Sequence, residues 1–233
     1  MIPPIQERLL SSLPGFDPRS VPVTGVDAHL PAVPPDNLQP HSLRQRFEIP
    51  RVWQPEFVSE PRFTSRSPSP ASVLLAIVPR EQPMVLLTQR TIHLSAHSGQ
   101  IAFPGGKQDA EDTDLTMTAL REAREEIGLL PEFVQVLGTL PIYRTGSAFI
   151  VTPVVAIVHD GFTVQRNADE VDEIFEVPLA FLMNPANHRR HAVDWDGGRR
   201  EWLSMPYQDG PHERFIWGAT AGMLRNFYRF LAA

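Results

Sequence analysis

The chain contains no cysteine, which excludes a disulfide framework, a thiolate nucleophile and a thiolate metal site. It also has no run of about 18 apolar residues, the length that a membrane-spanning helix requires. The N-terminus lacks the basic segment and apolar run of a secretory signal peptide, and residues 230–233 form no peroxisomal or retention signal. These absences lead us to expect a cytoplasmic protein that does not associate with membranes.

The chain also has fewer positively charged than negatively charged side chains. The 21 Lys and Arg residues are outnumbered by 27 Asp and Glu residues, which gives a formal net charge of -6 and an isoelectric point near 5.7. This balance argues against a broad nucleic-acid-binding surface. An anionic substrate would have to be attracted by local Arg and Lys side chains or by a metal ion, because the overall field of the protein is negative.

Proline, by contrast, is abundant, with 24 residues in the chain, and it recurs through residues 1–69. Proline at this density excludes long helices and central strands. The same segment contains too many apolar side chains, such as Trp53 and Phe57, for a disordered tail. We predict a short amphipathic helix over residues 1–13 within an ordered, loop-rich extension. This extension would pack on a domain of residues 70–233, either as a stabilising cover or as part of a substrate pocket.

Apolar runs separated by turn residues predict the strands and helices of residues 70–233. Strands are expected at residues 71–79, 84–88, 101–103, 133–143, 149–159, 174–177, 191–195 and 201–205. Two helices are expected at residues 178–183 and 217–231. A polar loop is predicted at residues 91–100 and a hairpin turn at residues 196–198. Strands and helices alternate without a repeated βαβ period.

A glycine turn at Gly105 and Gly106 leads into a further predicted helix. Polar residues at 112–114 can accept hydrogen bonds from the free backbone N–H groups at its start. Good helix formers fill residues 119–126, and Gly128 suits the left-handed residue that ends a helix. A buried stripe is predicted from residues at helical spacing: Thr116, Leu120, Ala123 and Ile127.

Three carboxylates are predicted on another side of this helix. At 3.6 residues per turn, Glu126 lies about 40° from Glu122, and Glu125 lies about 60° from it in the other direction. These like charges repel one another. A divalent cation such as Mg²⁺ would relieve the repulsion, because it prefers carboxylate oxygens and keeps waters that phosphate can replace. The alternative is a solvated acidic face on which Arg121 pairs with Glu125, four residues later.

The glycine turn and the acidic helix together resemble the Nudix box of hydrolases that act on nucleoside diphosphate derivatives. The matching residues are Gly106, Asp112, Arg121, Glu122, Glu125, Glu126, Gly128 and Leu129. An upstream motif resembles the coenzyme A pyrophosphatase branch of that family: Leu86, Leu87, Thr88, Arg90, Gly99, Gln100, Phe103, Pro104, Gly105, Gly106, Lys107 and Asp109. Asp112 in place of Glu, with eight residues between it and Arg121, is usual in that branch, whereas Thr91 and Ser95 depart from its motif.

The resemblance implies an α/β (α+β) fold in which a mixed β-sheet is sandwiched between helices. It also implies a metal-dependent pyrophosphatase that uses Mg²⁺ or Mn²⁺. The substrate would be a small molecule, coenzyme A or a derivative, cut at its internal diphosphate to give 3',5'-ADP and 4'-phosphopantetheine.

The metal-binding residues are expected on the acidic helix. Glu122, Glu125 and Glu126 would hold the divalent ions, which would bridge phosphate oxygens and orient a water molecule. Arg121 would orient one of these carboxylates, as its counterpart does in the family. A surface ion pair of little energetic value is the alternative for Arg121.

The remaining site residues are expected around this helix. Arg90 and Lys107 are candidates for phosphate contacts or are solvated surface charges. Gly105 and Gly106 would let the backbone come close to the metal ions, or would form a plain turn. The acidic residues 169–173 are the best distal source of a general base, and we list the candidates in order of preference: Glu170, Glu173 and, on the helix, Glu125.

Two alternatives remain open. One is a Nudix hydrolase of another substrate, such as ADP-ribose, NADH, capped RNA or a dinucleoside polyphosphate. The other is a binding module that keeps the fold without catalysis, although such a module would be expected to lose acids that this helix retains. Five histidines show no HExxH-type metal spacing and are predicted at the surface or behind the catalytic groups: His97, His159, His188, His191 and His212.

Overall fold

A computed structural model describes residues 16–62, 64–91, 99–195 and 198–233. The helix predicted at residues 1–13 and most of the polar loop predicted at residues 91–100, with His97, lie outside the described residues. So do Asp196 and Gly197 of the predicted hairpin turn.

Strands and helices alternate irregularly along the described residues. The strands are β1 (Val23–Val26), β2 (Ser69–Pro79), β3 (Pro83–Arg90), β4 (Ile101–Ala102), β5 (Gly105–Lys107), β6 (Val134–Thr139), β7 (Tyr143–Arg144), β8 (Phe149–Val158), β9 (Val171–Pro178), β10 (Arg189–Trp195), β11 (Gly198–Asp209) and β12 (His212–Trp217). The α-helices are α1 (Pro40–Glu48), α2 (Leu115–Ile127), α3 (Leu179–Leu182) and α4 (Gly218–Ala232). Within the described ranges, no helix has both the length and the apolar composition needed to cross a bilayer.

Eight strands form a mixed sheet. Five of them follow the order β4-β3-β2-β8-β6, while β5 also pairs with β2, β7 with β8 and β9 with β3. The central strands β2 and β8 are parallel and stay in register from Ser69 and Phe149 to Ile77 and Ile157. A second, antiparallel sheet has the order β1-β10-β11-β12.

Both faces of the mixed sheet are covered. On one face, Leu75 and Ile77 of β2 belong to a core that includes residues of α4 and of the second sheet. On the other face, Leu74, Ala76 and Val78 belong to a core that includes the apolar residues of α2. Alternate residues of a strand point to opposite faces, so a strand buried on both faces reads as a continuous apolar run. The predicted α+β fold with a mixed sheet between helices is confirmed.

Some elements differ from the sequence-based prediction. The strand predicted at residues 133–143 is divided into β6 and β7, because Pro141 has no N–H to donate to a strand ladder. The turn predicted at Gly105 and Gly106 is the short strand β5, which is antiparallel to β2. Strands β1 and β12 were not predicted, since β1 lies among prolines and β12 begins with three polar residues.

The segment before β2 is tied to β10 and α4 by a partly buried ionic network, in which Asp27 and Arg225 are buried. Asp27 lies 2.8 Å from Arg190 and 3.1 Å from Arg225, and Glu56 lies 2.6 Å and 2.7 Å from the same two arginines. Burial disfavours the charged carboxylates, but the arginines outweigh it and hold the pKa of Asp27 and of Glu56 below the ordinary values. Because breaking a buried ion pair leaves an uncompensated charge, the network fixes this segment against the rest of the molecule.

His188 lies inside this network and not at the surface, with a relative exposure of 0%. Arg225 Nη1 is 3.0 Å from His188 Nδ1, and His188 Nε2 is 2.8 Å from the carbonyl oxygen of Leu182. Arginine can only donate, so Nδ1 accepts and Nε2 carries the proton that is donated to Leu182. Burial lowers the pKa of His188 to about 4, and the imidazole is therefore neutral in the folded protein.

The buried His188 predicts an acid-sensitive fold. The unfolded chain takes up a proton near pH 6.5, whereas folded His188 resists protonation down to about pH 4. Its contribution to stability is thus fully present above pH 6.5 and is lost as the pH falls, by about 2 kcal/mol between pH 7 and pH 5. Urea unfolding across this range should show a flatter pH dependence in His188→Gln than in wild type.

The control for this prediction is His159→Gln, since His159 is exposed. That variant should keep the pH dependence of the wild-type protein. Equal slopes in wild type and in His188→Gln would mean that the neutral buried imidazole does not account for the acid sensitivity.

Candidate active site

A cavity of about 620 Å³ is lined by residues of both sheets, of α2 and α4, and of the segment that precedes β2. Part of its wall is apolar: Phe57, Val73, Phe103, Phe149, Trp202, Trp217 and Met223. The described lining residues include seven carboxylates: Glu60, Asp109, Glu122, Glu125, Glu126, Glu170 and Glu201. They include four cationic side chains: Arg90, Lys107, Arg121 and Arg200. This cavity therefore combines a large apolar surface with an excess of negative charge.

Helix α2 supplies the acids of the predicted motif, and its two ends are as predicted. The Asp114 side chain accepts hydrogen bonds from the N–H groups of Thr116 and Met117 at the N-terminus. Gly128 ends the helix with a φ of 68°, in the left-handed region that glycine adopts without a steric penalty. These caps fix where α2 begins and ends.

The buried side of α2 is rotated from the predicted stripe. Ala123 and Ile127 are buried as predicted, but Thr116 and Leu120 are only partly buried. Glu126, which was predicted on the outward face, is buried instead, with a relative exposure of 2%. The acidic edge of the helix is directed into the molecule and toward the cavity.

Glu126 is a buried carboxylate with two donors. The Gly105 N–H donates to Glu126 Oε2 at 3.1 Å, and Arg90 Nη1 donates to Glu126 Oε1 at 3.3 Å. Burial raises the pKa of Glu126 to about 7, and the negative charges of Glu122 and Glu170 add to the effect of burial. Glu126 is therefore a carboxylate whose ionised form would be stabilised by a nearby cation.

Arg121 joins the carboxylates at the start and end of the motif. Two of its nitrogens donate to Asp112 at 3.0 Å and 2.9 Å, and a third lies 3.0 Å from Glu122 and 2.9 Å from Glu125. Its Nη2 also donates to the carbonyl oxygen of Lys107 at 3.0 Å. These hydrogen bonds hold the pKa of Asp112 well below its usual range. Arg121 thus positions both the loop and the helix carboxylates.

Gly105 and Gly106 lie where neighbouring atoms leave no room for a Cβ. A Cβ on Gly105 would lie 2.4 Å from the carbonyl oxygen of Ser72 and 2.6 Å from the Cα of Val73. A Cβ on Gly106 would lie 2.5 Å from the carboxyl carbon of Glu122. Gly105 therefore permits the pairing of β5 with β2, and Gly106 leaves room for a carboxylate of the acidic helix.

Alanine substitutions at these two positions should affect different properties: mainly activity at Gly106 and mainly stability at Gly105. Gly106→Ala is expected to lower kcat/KM roughly 10- to 100-fold, because the new methyl group displaces the Glu122 carboxylate, while stability changes by less than about 1 kcal/mol. Gly105→Ala should destabilise the protein by about 2–3 kcal/mol, because its Cβ meets backbone atoms. The measurements are urea unfolding and steady-state kinetics.

Gly25→Ala is the control for both alanine variants, since no atom lies within 4 Å of a Cβ at that position. It should match wild type in both measurements. Full activity in Gly106→Ala would contradict the assigned role of this glycine.

The structure places the other predicted site residues in two different locations. Arg90, Lys107 and Glu170 line the cavity together with the acids of α2. Glu173 does not line it; its carboxylate pairs with Arg214 at 2.7 Å, and both residues line a different pocket. Of the two distal acids proposed as general base, Glu170 alone shares the cavity with Glu122 and Glu126.

The chemistry of this donor set fits a divalent metal ion. Hard oxygen ligands such as carboxylates suit Mg²⁺ and Mn²⁺, and the excess of carboxylates over cations in the cavity would otherwise repel a diphosphate. Within the described part of the chain, no three acidic or histidine side chains form a ready-made metal shell. Glu122 and Glu125 are turned to Arg121 instead, so the fit rests on the donor chemistry and on the charge of the cavity.

Sequence reasoning offered the extension as part of a substrate pocket but did not single out a second group of cavity residues. Phe57 and Glu60 come from the proline-rich extension, and Trp202 and Trp217 come from β11 and β12. None of them belongs to a recognisable motif. The apolar side chains of the extension, Phe57 among them, were the available signal, but they could not indicate a shared cavity.

Comparison with known proteins identifies the family of this chain. The family model described as the NUDIX domain matches residues 68–196, more than half of the chain. "Uncharacterized Nudix hydrolase NudL" of Escherichia coli O6:H1 is 44% identical over 158 residues, which cover 66% of this chain and 79% of that protein. The protein of the same name from Salmonella newport gives the same values. A solved structure described as a C. elegans Ap4A hydrolase binary complex is 22% identical, with a TM-score of 0.42, and the match covers 51% of this chain and 85% of that one.

The chain belongs to the Nudix family. It is a Nudix hydrolase, an enzyme that cleaves phosphoric anhydride bonds, and enzymes of this family generally use divalent ions such as Mg²⁺ or Mn²⁺.

Proposed function

We propose that this enzyme hydrolyses the diphosphate bond of coenzyme A or of its derivatives, giving 3',5'-ADP and 4'-phosphopantetheine. The observation that carries the proposal is the composition of one cavity. The acids of α2 and two candidate phosphate-binding cations, Arg90 and Lys107, line the same cavity as an extended wall of apolar and polar side chains. A substrate with a diphosphate at its centre and a long organic arm matches this combination of surfaces.

The upstream motif supports the same substrate. Its residues Arg90, Gln100, Phe103, Lys107 and Asp109 all line the cavity. The motif is similar to that of the coenzyme A branch, and its members share one surface although they lie on different strands and loops. We propose that Arg90 and Lys107 contact phosphate oxygens, since cationic side chains in a partly buried site bind phosphate strongly.

The acids of α2 define the hydrolytic end of the cavity. Glu122, Glu125 and Glu126 would hold divalent ions, which when bound would neutralise the phosphates and activate a water molecule. Arg121 orients Glu122 and Glu125 through the contacts described above. Gly105 donates its N–H to Glu126 and so keeps that carboxylate in place.

Glu170 is the proposed general base, with Glu125 as the alternative on the helix. A water oxygen would form a bond to one phosphorus atom while its proton passes to the carboxylate of Glu170. The bridging P–O bond breaks, and its electron pair leaves with the other phosphate. Glu173 is a poorer candidate because Arg214 holds it in a bidentate ion pair.

The apolar wall would receive the non-nucleotide arm or the adenine base. Phe57, Phe103, Phe149 and Trp202 line this part of the cavity. Aromatic side chains provide large apolar contact areas at a low entropic cost. A short, fully hydrated substrate such as inorganic diphosphate would leave this surface exposed to water.

A substrate panel tests the proposed function. The purified protein would be incubated with Mg²⁺ or Mn²⁺ and, separately, with CoA, NADH, ADP-ribose and diadenosine polyphosphates, and the products would be identified by mass spectrometry. The proposal predicts the highest kcat/KM for CoA or a CoA derivative, with 3',5'-ADP as a product. A clear preference for another member of the panel would replace CoA with that substrate.

A further inference from the structure

We propose that Glu60 is a specificity-determining residue, which accepts a hydrogen bond from a donor on the organic arm of the substrate and excludes arms that carry a negative charge. This inference rests on the proposed cleavage of CoA-type diphosphates at the acids of α2. It concerns the other wall of the cavity. Glu60 also lies outside residues 68–196, which match the family model.

The carboxylate of Glu60 is held in a fixed orientation. Tyr143 Oη donates to Glu60 Oε1 at 3.0 Å, and the N–H of Gly146 donates to Glu60 Oε2 at 2.9 Å. The backbone N–H of Glu60 donates to the carbonyl oxygen of Arg144 at 2.8 Å. A carboxylate has about four lone-pair positions, so these two side-chain bonds leave acceptor capacity on a group that lines the cavity.

Tyr143 fixes this arrangement from the interior of the protein. Its ring is buried, with a relative exposure of 3%, and it lies so close to α4 that a Cβ on Gly222 would be 2.8 Å from its Cε2. Burial, reinforced by the Glu60 charge, holds the pKa of Tyr143 above its ordinary value, so the phenol stays protonated and donates.

The strand register gives the separation between Tyr143, which contacts Glu60, and Lys107 at the phosphate end of the cavity. Tyr143 pairs with Val151, Val151 with Ala71, and Ala71 with Lys107. Three strand spacings of about 4.8 Å place the backbone of Tyr143 roughly 14 Å from that of Lys107. An extended organic chain of roughly a dozen bonds spans such a distance, so Glu60 lies within reach of an arm whose diphosphate is at the acids of α2.

The chemistry of the surrounding wall indicates what kind of arm fits. Ser59, Thr145 and Ser147 line the cavity near Glu60, and the hydroxyl groups of Thr145 and Ser147 lie 2.9 Å apart. Such a wall suits amide and hydroxyl groups, which both donate and accept. A carboxylate on the arm would face the fixed negative charge of Glu60 with no cation provided for it by these residues.

The test compares two isosteric CoA thioethers, S-carbamoylmethyl-CoA and S-carboxymethyl-CoA. They share the diphosphate and differ in whether the arm ends in a neutral amide or a carboxylate. Wild type should hydrolyse the amide with a kcat/KM at least roughly tenfold higher, mainly through KM, since like charges brought together in a partly buried site repel strongly. In Glu60→Gln the amide oxygen can accept from the N–H of Gly146 while the amide NH2 donates to Tyr143 Oη, and this ratio should fall to within about threefold.

Glu81→Gln is the matched control, because Glu81 is exposed in the turn between β2 and β3 and its replacement changes the net charge by the same amount. It should keep the wild-type ratio. As a readout independent of turnover, calorimetry should show the same change of preference for the two corresponding 4'-phosphopantetheine thioethers. An unchanged ratio in an active Glu60→Gln enzyme would overturn this inference alone, whereas no cleavage of any CoA compound by wild type would overturn the proposed function as well.

Discussion

Replacing Glu126 with glutamine is expected to lower kcat roughly 100- to 1,000-fold, the range found when a group that stabilises developing charge is removed from an active site. Glu126 is the most buried carboxylate of α2, and its ionised form has two fixed donors, Gly105 and Arg90. Glutamine retains the shape of the side chain but cannot neutralise a bound cation. The loss should appear in kcat, measured with saturating Mg²⁺ and CoA.

The fold should survive this change. A glutamine oxygen can still accept the N–H of Gly105, and removal of a charge near Glu122 and Glu170 relieves repulsion. We expect the free energy of unfolding to change by less than about 1 kcal/mol. Glu132→Gln, at an exposed position after α2, is the control and should remain fully active. A Glu126→Gln enzyme with normal turnover would remove α2 from the mechanism.

Replacing Arg121 is expected to have the second largest effect, on both stability and activity. The side chain of Asp112 is 4% exposed and receives two hydrogen bonds from Arg121. Arg121→Met leaves that buried charge without its counter-ion, which should cost about 3 kcal/mol. Glu122 and Glu125 lose their common partner as well, so kcat/KM should fall about 100-fold.

The Arg121→Lys variant shows whether Arg121 acts through its positive charge alone or through the geometry of its guanidinium group. Lysine keeps the positive charge but lacks the planar fork that contacts Asp112, the Lys107 carbonyl and the two glutamates together. We expect the stability loss to shrink while most of the loss of kcat/KM remains. Arg124→Met, at an exposed position of α2, is the control. Recovery of full activity in Arg121→Lys would show that the geometry of the fork is not needed.

The fold could be predicted from patterns that one segment carries by itself. The apolar run at residues 71–79 is buried on both faces because it forms the centre of the mixed sheet. Asp114 and Gly128 mark the ends of α2 through local hydrogen bonding and backbone conformation. The second sheet was incomplete in the prediction, since β1 pairs with β10 across a separation in sequence that no local pattern records.

The candidate site could be predicted only where its residues are close in sequence. The spacing of the acids along α2 was evident from the sequence. The direction in which Glu126 points, however, depends on the packing of α2 against the sheet. Glu60 enters the cavity through contacts with Tyr143 and Gly146, more than 80 residues later. Glu173 does not line the cavity, and its carboxylate pairs with Arg214, a partner 41 residues away. Tertiary contacts of this kind have no signature in a single sequence.

Anomalous diffraction from crystals soaked in Mn²⁺ would test the central claim most directly. The claim is that the carboxylates of α2 bind a divalent ion beside the diphosphate site. It predicts an anomalous peak in contact with carboxylate oxygens of Glu122 and Glu126, and no such peak in crystals of Glu126→Gln. A wild-type crystal at saturating Mn²⁺ with no peak there, and with Glu122 still paired to Arg121, would contradict it.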